Sequence, residues 1–257
     1  MRLYLRFVSL HLKSAMTYRG TFLLSCLGQL LVTVNTFLGV KFLMDRFGAV
    51  AGYTLPQLAL CFSVILGATS LAECFARGLD AFASVLSEAR FDRLLVRPRG
   101  LLFQLLCEKM KLSMAPRLLQ AALLLAWAVS AGAVRWTAAK AAVLALMILC
   151  GAALFFGLFL INAALCFFTL EGLEVMNIFT DGPREYGKYP FGVYGKGVLW
   201  VLTLLVPLAL VQHWPLQYLL DRGPLWYGLL PLASLLFLLP CAAVWRLGVR
   251  HYRSTGS

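Results

Sequence analysis

Charged side chains are scarce in this sequence, and acidic ones are the scarcest. Asp and Glu together number 11 among 257 residues, and all charged types make up 13%, about half of the usual share in a soluble domain. Apolar residues make up 61% and the mean hydropathy is +0.82. The chain therefore has room for several apolar helices of the roughly 20 residues that cross a bilayer. We predict an all-α, polytopic integral membrane protein.

The residue types that usually bind metals or catalyse reactions are also few. The three His residues are scattered, and no two of the seven Cys residues have C-x-x-C spacing. Zinc sites and redox motifs need such clusters, and the sequence contains no H-E-x-x-H or G-x-S-x-G. We therefore expect no catalytic residue, no metal and no cofactor on this chain, which argues against a membrane-embedded enzyme.

One segment superficially matches a phosphate-binding loop. Residues 182–189 read G-P-R-E-Y-G-K-Y, which fits G-x-x-x-x-G-K. The following residue is Tyr189 instead of the magnesium-binding Ser or Thr, Pro183 removes a backbone N–H, and no strand pattern precedes the segment. The sequence favours a polar turn here and predicts that the chain binds no nucleotide.

The net charge of +12 raises the possibility of nucleic-acid binding, but the distribution of the basic residues argues against it. They lie between apolar runs, without the aromatic and basic interleaving of single-strand binders. Residues 1–20 predict an amphipathic interface helix, with Arg2, Arg6, Ser9 and Lys13 on one face. Residues 21–257 would then form the transmembrane domain, with a cytoplasmic loop at 77–117.

Six apolar runs are predicted to cross the membrane. With the N-terminus inside, 18 of the 23 Lys and Arg residues fall in cytoplasmic segments, which is a firm positive-inside bias. Both termini are therefore expected in the cytoplasm. The predicted spans are 21–40, 54–76, 118–134, 141–170, 198–220 and 225–245.

A second topology stays open. Residues 141–180 are long enough for two helices with a turn near 157–162, and 181–215 would then be an outer re-entrant segment. This drawing places Glu171 and Glu174 inside a span, at a cost of roughly 2.5–3.5 kcal/mol each. We therefore favour a cytoplasmic loop at 171–197 followed by a fifth span.

A few polar residues lie in or next to the apolar runs and are candidates for a translocation path. An acid within the membrane is a functional hypothesis by default, although Glu73 could simply pair with Arg77 one helical turn away. Asn residues in apolar helices form interhelical hydrogen bonds, and the carboxylates near the end of the fourth span could solvate that end. The candidates are Asn35, Glu73, Asn162, Glu171 and Glu174.

The connection at 78–99 contains more large apolar residues than a water-exposed loop needs. Phe82, Val85 and Leu86 share a predicted helical face, and Phe91, Leu94 and Leu95 continue the apolar content up to Pro98. These side chains must pack on the membrane surface, on this protein or on a partner.

The sequence resembles bacterial ABC-2-type exporter permeases, in a branch long known only as a domain of unknown function. The resemblance covers nearly the whole chain and depends on the order and spacing of several short pieces. These are F-D-R-L-L-V-R-P at 91–98, E-G-L-E at 171–174 with Asn177, R-E-Y at 184–186, Tyr189-Pro190, Y-G-K at 194–196, Pro207 and Pro215.

The resemblance implies a subunit of six transmembrane helices preceded by an amphipathic interface helix. Two such subunits, more often related permeases than identical copies, would pair in the bacterial inner membrane with an ATPase dimer that binds ATP and Mg²⁺. It also implies a coupling helix in 80–97 that docks on the ATPase. The residues that would couple the two proteins are Phe82, Leu86, Phe91, Asp92, Arg93, Leu94 and Leu95.

Other functional classes remain compatible with the residues themselves. An ATPase-independent transporter or channel would need a path of intramembrane ionisable residues, for which only Glu73 qualifies, and paired broken helices are not evident. A membrane-embedded assembly protein is not excluded by physical arguments. The sequence does not identify a substrate, although its Phe, Leu and Met content suits lipophilic compounds or lipids.

Overall fold

A computed structural model describes residues 2–48, 52–87, 90–108, 110, 115–132, 134–169 and 174–252. Within these ranges the chain is helical, and no strand forms. The helices of the first half are α1 (Arg2–Thr17), α2 (Arg19–Phe47), α3 (Leu55–Asp80), α4 (Phe82–Ser87), α5 (Phe91–Leu95), α6 (Leu101–Glu108) and α7 (Ala115–Ser130).

The second half begins with the longest helix and then breaks into short ones. Among them lie 3₁₀ turns at Phe191–Tyr194, Leu225–Leu229 and Leu235–Phe237. The helices are α8 (Ala138–Thr169), α9 (Glu174–Thr180), α10 (Pro183–Tyr186), α11 (Lys196–Leu204), α12 (Leu208–Val211), α13 (His213–Leu219), α14 (Leu230–Ser234) and α15 (Leu238–His251).

Helices α3 and α8 form the centre of the bundle and run parallel to each other, with Leu58 near the start of α8 and Phe82, just after α3, against Phe167 near its end. Near the middle of both, Gly151 approaches Ala68 closely enough that a Cβ on Gly151 would lie 2.9 Å from the Ala68 Cβ. Small residues permit such close contact between membrane helices. Helix α15 packs along the other side of α8, where a Cβ on Gly157 would lie 3.1 Å from Cys241 Sγ.

The two ends of the bundle are distinguished by different contacts. At the α1 end, the Tyr4 ring of α1 lies 6.4 Å from both Phe75 and Phe103, and Tyr252 contacts Phe91. At the opposite end, called here the Lys140 end, the Lys140 ammonium donates to Asp221 at 2.7 Å. Helix α1 and residue 252 therefore lie at the same end.

Within the described residues, four helical stretches are long and apolar enough to cross a membrane. They are Arg19–Arg46, Leu55–Leu86, Ala138–Thr169 and Leu225–His251. The fourth predicted span is indeed long, because α8 has 32 residues. Helix α7 has only 16 residues, or about 24 Å at 1.5 Å per residue, and it is separate from α6.

The predicted fifth span at 198–220 is not a straight helix. Residues 196–204 and 208–219 are bent by 89° with respect to each other. Pro207 lies at the break, and a proline there cannot donate the backbone hydrogen bond that would continue the helix. Counted as one span, this bent pair gives five candidate crossings, and the short α7 would be a sixth.

The preferred drawing of 171–197 as a loop outside the bundle is wrong for residues 187–193. A Cβ on Gly187 would lie 2.9 Å from Ile65, near the middle of α3, and Tyr189 and Val193 pack against the core at the Lys140 end. Gln212 is fully buried and donates to the carbonyls of Gly187 and Tyr189. Backbone polar groups inside an apolar bundle need such partners, which explains how this irregular segment can lie there.

Candidate functional site

The predicted coupling loop is built on five aromatic side chains, which we call the aromatic cluster. The Phe91 ring lies 5.2 Å from Phe167 and 4.7 Å from Tyr252, and the Phe82 ring lies 5.0 Å from Phe167. Trp245 completes the set at 5.5 Å from Phe167. Each such ring pair contributes about 0.5–1.5 kcal/mol beyond its buried area. The aromatic cluster therefore joins α4 and α5 to α8 and α15.

Hydrogen bonds hold the same loop from its polar side. The Tyr252 hydroxyl donates to Asp92 Oδ1 at 2.9 Å, and burial, the hydrogen bond and the Asp92 charge together raise the pKa of Tyr252. The Gln104 amide of α6 donates to the carbonyls of Leu94 and Arg99. Arg90 pairs with Glu108 at 2.8 Å. The loop is thus fixed at several points along its length.

The structure divides the predicted coupling residues into two groups. Phe82 and Phe91 are fully buried, and Leu86 and Leu94 are 6% exposed, so these four pack within the chain. Arg93 is exposed, and Leu95 is 46% exposed. Val96, which the sequence did not single out, is 84% exposed. Asp92 is partly exposed and accepts the Tyr252 hydrogen bond, so among the seven predicted coupling residues Arg93 and Leu95 are the most accessible to another protein.

Glu73 is buried in an ionic network between α3 and α7. Its carboxylate accepts from Arg77 at 3.2 Å, as the i,i+4 spacing predicted, and also from Arg117 at 3.1 Å. The Arg117 side chain is only 8% exposed. Sequence reasoning missed Arg117, although a lone cation at the start of an apolar helix is a natural partner for a lone intramembrane acid.

Two of the other candidate polar residues, Asn35 and Asn162, form no hydrogen bond with Glu73 in the described part of the chain. Asn35 is on the exposed side of α2, whereas Asn162 is 6% exposed within α8. Glu171 lies outside the described residues, and Glu174 begins α9, with its side chain outside the described part. Of the side chains that the structure describes, Asn35, Glu73 and Asn162 therefore do not form one hydrogen-bonded site.

A polar groove lies between α2, α3 and the residues before and within α10. It has a volume of about 250 Å³. Its polar lining consists of Thr33, Thr36, Arg117, Asp181 and Glu185. The groove is open to the surface of the subunit, next to the Glu73 network.

The segment that resembles a phosphate-binding loop has a different structure. Residues 183–186 form a single helical turn, and the Lys188 ammonium donates to Glu185 at 2.6 Å. The Tyr186 hydroxyl donates to the Ile178 carbonyl. No strand precedes this turn within the described part of the chain. The geometry agrees with a packed polar turn.

Comparison with known proteins identifies the family. A family model described as ABC-2 family transporter protein matches residues 30–256. No curated protein and no solved structure matches the chain. Members of this family are membrane components that are generally non-catalytic, and the family implies an ATP-binding partner. The match covers most of the chain and agrees with the multi-pass helical bundle, so the protein belongs to the ABC-2 transporter family.

Proposed function

We propose that this chain is an exporter permease that forms half of a translocation pathway and is driven by a separate ATPase dimer. A second, related permease would complete the pathway, and ATP and Mg²⁺ would bind on the ATPases. The chain would cross the inner membrane of a bacterium six times, with both termini and the α1 end in the cytoplasm. One observation carries this proposal in a chain of this family. The loop after α3 is packed against α8 and α15, while Arg93, Leu95 and Val96 at its tip stay exposed.

Coupling requires a surface that a partner can reach and a path from that surface into the bundle. Arg93, Leu95 and Val96 form the exposed tip of the loop. Behind it, the aromatic cluster leads to α8 and α15, and the Gln104 hydrogen bonds lead to α6. Close-packed protein interiors are hardly compressible, so a displacement at one side chain moves its neighbours. Movement of an ATPase at the tip would therefore displace α8 and α15 as well as the adjoining α3.

Helix α2 supplies the surface that a second permease would cover. Its inner face, with Thr33, Val40 and Met44, is buried against the chain. Its opposite face is exposed and carries two glycines and Asn35 among large apolar residues. We call this face the α2 seam; it consists of Leu24, Gly28, Leu31, Asn35, Leu38, Gly39 and Phe42.

The composition of the α2 seam suits contact with another helix better than contact with lipid. A Cβ placed on Gly28 or Gly39 would meet nothing within 4 Å, so another backbone could approach closely there. The Asn35 side chain has no hydrogen-bond partner in the described part of the chain, and an Asn in hydrocarbon gains from one. The polar groove touches the opposite, inner side of this helix at Thr33, so it is separate from the α2 seam.

The coupling proposal is tested by placing a negative charge in the exposed tip of the loop. Leu95→Glu should abolish co-purification with the ATPase and its stimulation, because a carboxylate replaces a half-exposed apolar contact next to Arg93. Leu225→Glu is the matched control, since Leu225 is 73% exposed and starts the 3₁₀ turn at the Lys140 end. Phe91→Glu does not serve, because burial of a charge at a fully enclosed position would disrupt the fold.

Two outcomes would overturn the proposal. One is full ATPase binding and stimulation by the Leu95→Glu variant, which would remove the loop tip from the interface. The other is purification of an active transport protein that contains no ATPase, which would favour an ATPase-independent transporter.

A further inference from the structure

A second large groove lies at the α1 end, between α1 and the loop that follows α3. Its volume is about 710 Å³. Helix α1 forms one wall, the 90–99 segment another, and α6 the third. We call it the basic groove; it is lined by Phe7, Leu10, His11, Ser14, Arg90, Arg93, Leu94, Arg97, Arg99, Phe103, Gln104, Cys107 and Glu108.

The charge of the basic groove is strongly unbalanced. Among the lining residues that the structure describes, four arginines face one carboxylate, that of Glu108, which already pairs with Arg90 at 2.8 Å. The side chains of Arg93, Arg97 and Arg99 are exposed and form no ion pair with any residue that the structure describes. Three guanidinium groups at one groove form a strong attraction for an anion, and a guanidinium can bind a phosphate through two parallel hydrogen bonds.

The two walls formed by α1 and α6 carry the large apolar side chains of Phe7, Leu10 and Phe103, and both walls are held in position. His11 Nε2 lies 2.8 Å from the Cys107 carbonyl oxygen, and the Tyr4 ring contacts Phe103. These contacts tie α1 to α6 and keep the groove open between them.

The apolar surface continues from the groove onto the outer side of α1. Leu10 is 59% exposed, Leu12 is 48% exposed and Met16 is 45% exposed. An amphipathic helix with such side chains lies in the plane of a membrane interface. A ligand of the groove would therefore need an anionic head next to the arginines and an apolar part that can follow α1.

We propose that the basic groove binds the phosphate head group of an anionic phospholipid. The phosphate contacts Arg97 and Arg99, with Arg93 next to it, and the acyl chains lie along Phe7 and Leu10. A soluble anion would satisfy the arginines but leave the apolar wall in water, whereas a lipid satisfies both. The site is separate from the α2 seam and the polar groove, and it shares only Arg93 with the exposed loop tip, so Arg97 and Arg99 test it apart from ATPase coupling.

The test measures lipid retention by the purified full-length chain without any ATPase. Dioleoylphosphatidylglycerol and dioleoylphosphatidylcholine are titrated separately, and bound lipid is counted by native mass spectrometry. Retention of phosphatidylglycerol should be stronger and should fall as salt rises. The Arg97→Gln/Arg99→Gln variant should bind it roughly 10- to 30-fold more weakly, as expected for two arginines at an anionic lipid surface.

Matched controls separate this site from general charge effects. The Arg246→Gln/Arg250→Gln variant removes the same charge from exposed positions of α15 at the same end of the bundle, and it should retain the lipid as the unaltered chain does. Inorganic phosphate at millimolar concentration should not displace the phospholipid, because it lacks the apolar part.

Several results would overturn the proposal. Equal retention of the two lipids by the unaltered chain would exclude head-group recognition, whether or not the arginine variant folds. Displacement by inorganic phosphate would show a site for free anions. Unchanged lipid binding by the Arg97→Gln/Arg99→Gln variant, with loss of ATPase co-purification, would make the groove an ATPase contact instead.

Discussion

Helices α2 and α3 are adjacent in the sequence and almost equally apolar, yet their surroundings differ completely. In the most apolar 18 residues of each span, mean hydropathy is 1.7 for the first and 1.9 for the second. Only 11% of that stretch is buried in α2, against 89% in the span that begins with α3. Because lipid tails are as apolar as leucine side chains, hydropathy predicts insertion into the membrane and leaves packing undetermined.

The difference between the two helices lies in what each side chain touches. Helix α3 contacts both α7 and α8 and carries the buried carboxylate of Glu73. Helix α2 contacts the chain along one narrow face and leaves the α2 seam open. A span that folds against its own chain should be sensitive to substitution in the isolated subunit, whereas an open span should be sensitive only once a second subunit is present.

The largest effect is expected for Glu73→Gln. The substitution keeps the volume but removes the carboxylate that Arg77 and the buried Arg117 share. Removing one member of a buried ion pair typically costs about 3–5 kcal/mol, and we expect a loss of that size in the free energy of unfolding in detergent. The matched control is Asp45→Asn at an exposed position of α2, which should change it by less than about 0.5 kcal/mol. Similar losses for both variants would remove the distinction between the helices.

An intermediate effect is expected when a side chain is added at Gly151 of α8, where α8 packs closely against α3. Gly151→Leu must displace Ala68 or Val211, since even a Cβ there would lie 2.9 and 3.0 Å from them. Overpacking of this kind costs about 1–3 kcal/mol, which thermal unfolding of the subunit would detect. A Cβ on Gly39 of α2 would meet nothing within 4 Å. Gly39→Leu should therefore leave the midpoint of thermal unfolding unchanged or raise it slightly. A clear loss of stability for Gly39→Leu would mean that α2 packs more tightly than the structure has it.

The smallest effect is expected for Asn35→Leu in the α2 seam. It should leave unfolding of the isolated subunit unchanged but weaken association with a second permease by about 0.6–2 kcal/mol, the range for polar contacts between membrane helices. Thr33→Val is the control on the inner face, because the Thr33 hydroxyl donates only to the Gln29 carbonyl of its own helix. Analytical ultracentrifugation of the co-expressed permeases would measure both. Equal association of the two variants would place the second subunit elsewhere.

Much of the fold could be predicted from the sequence, because the thickness of the bilayer sets the length of the apolar runs and the positive-inside rule sets where basic residues flank them. The helices near 21–40, 54–76 and 141–170 and the Glu73–Arg77 pair were predicted correctly. The 89° break before Leu208 was not, although Pro207 marks its position, because a proline interrupts a helix without specifying where the chain turns next.

The parts that could not be predicted depend on contacts distant in sequence. The polar segment around Gly187 reads as a loop outside the membrane, yet it is enclosed because Gln212, 25 residues later, satisfies its carbonyls. Arg117 joins Glu73 across 44 residues. Likewise, the sequence left open whether the apolar residues of 82–94 pack on the membrane, on this protein or on a partner, and the structure packs Phe82 and Phe91 against Phe167, and Phe91 also against Tyr252.

The contact between Asp92 and Tyr252 has a consequence for the order of assembly during synthesis. The two residues are 160 positions apart, so the loop tip leaves the ribosome long before the side chain that completes its support. Until residue 252 is made, Phe91 lacks one of its aromatic neighbours and Asp92 lacks its hydrogen bond from Tyr252, so the loop behind the tip is incompletely packed. A partner that binds only the fully packed loop would not bind nascent or truncated chains. Assembly of the complex would then select complete, folded subunits.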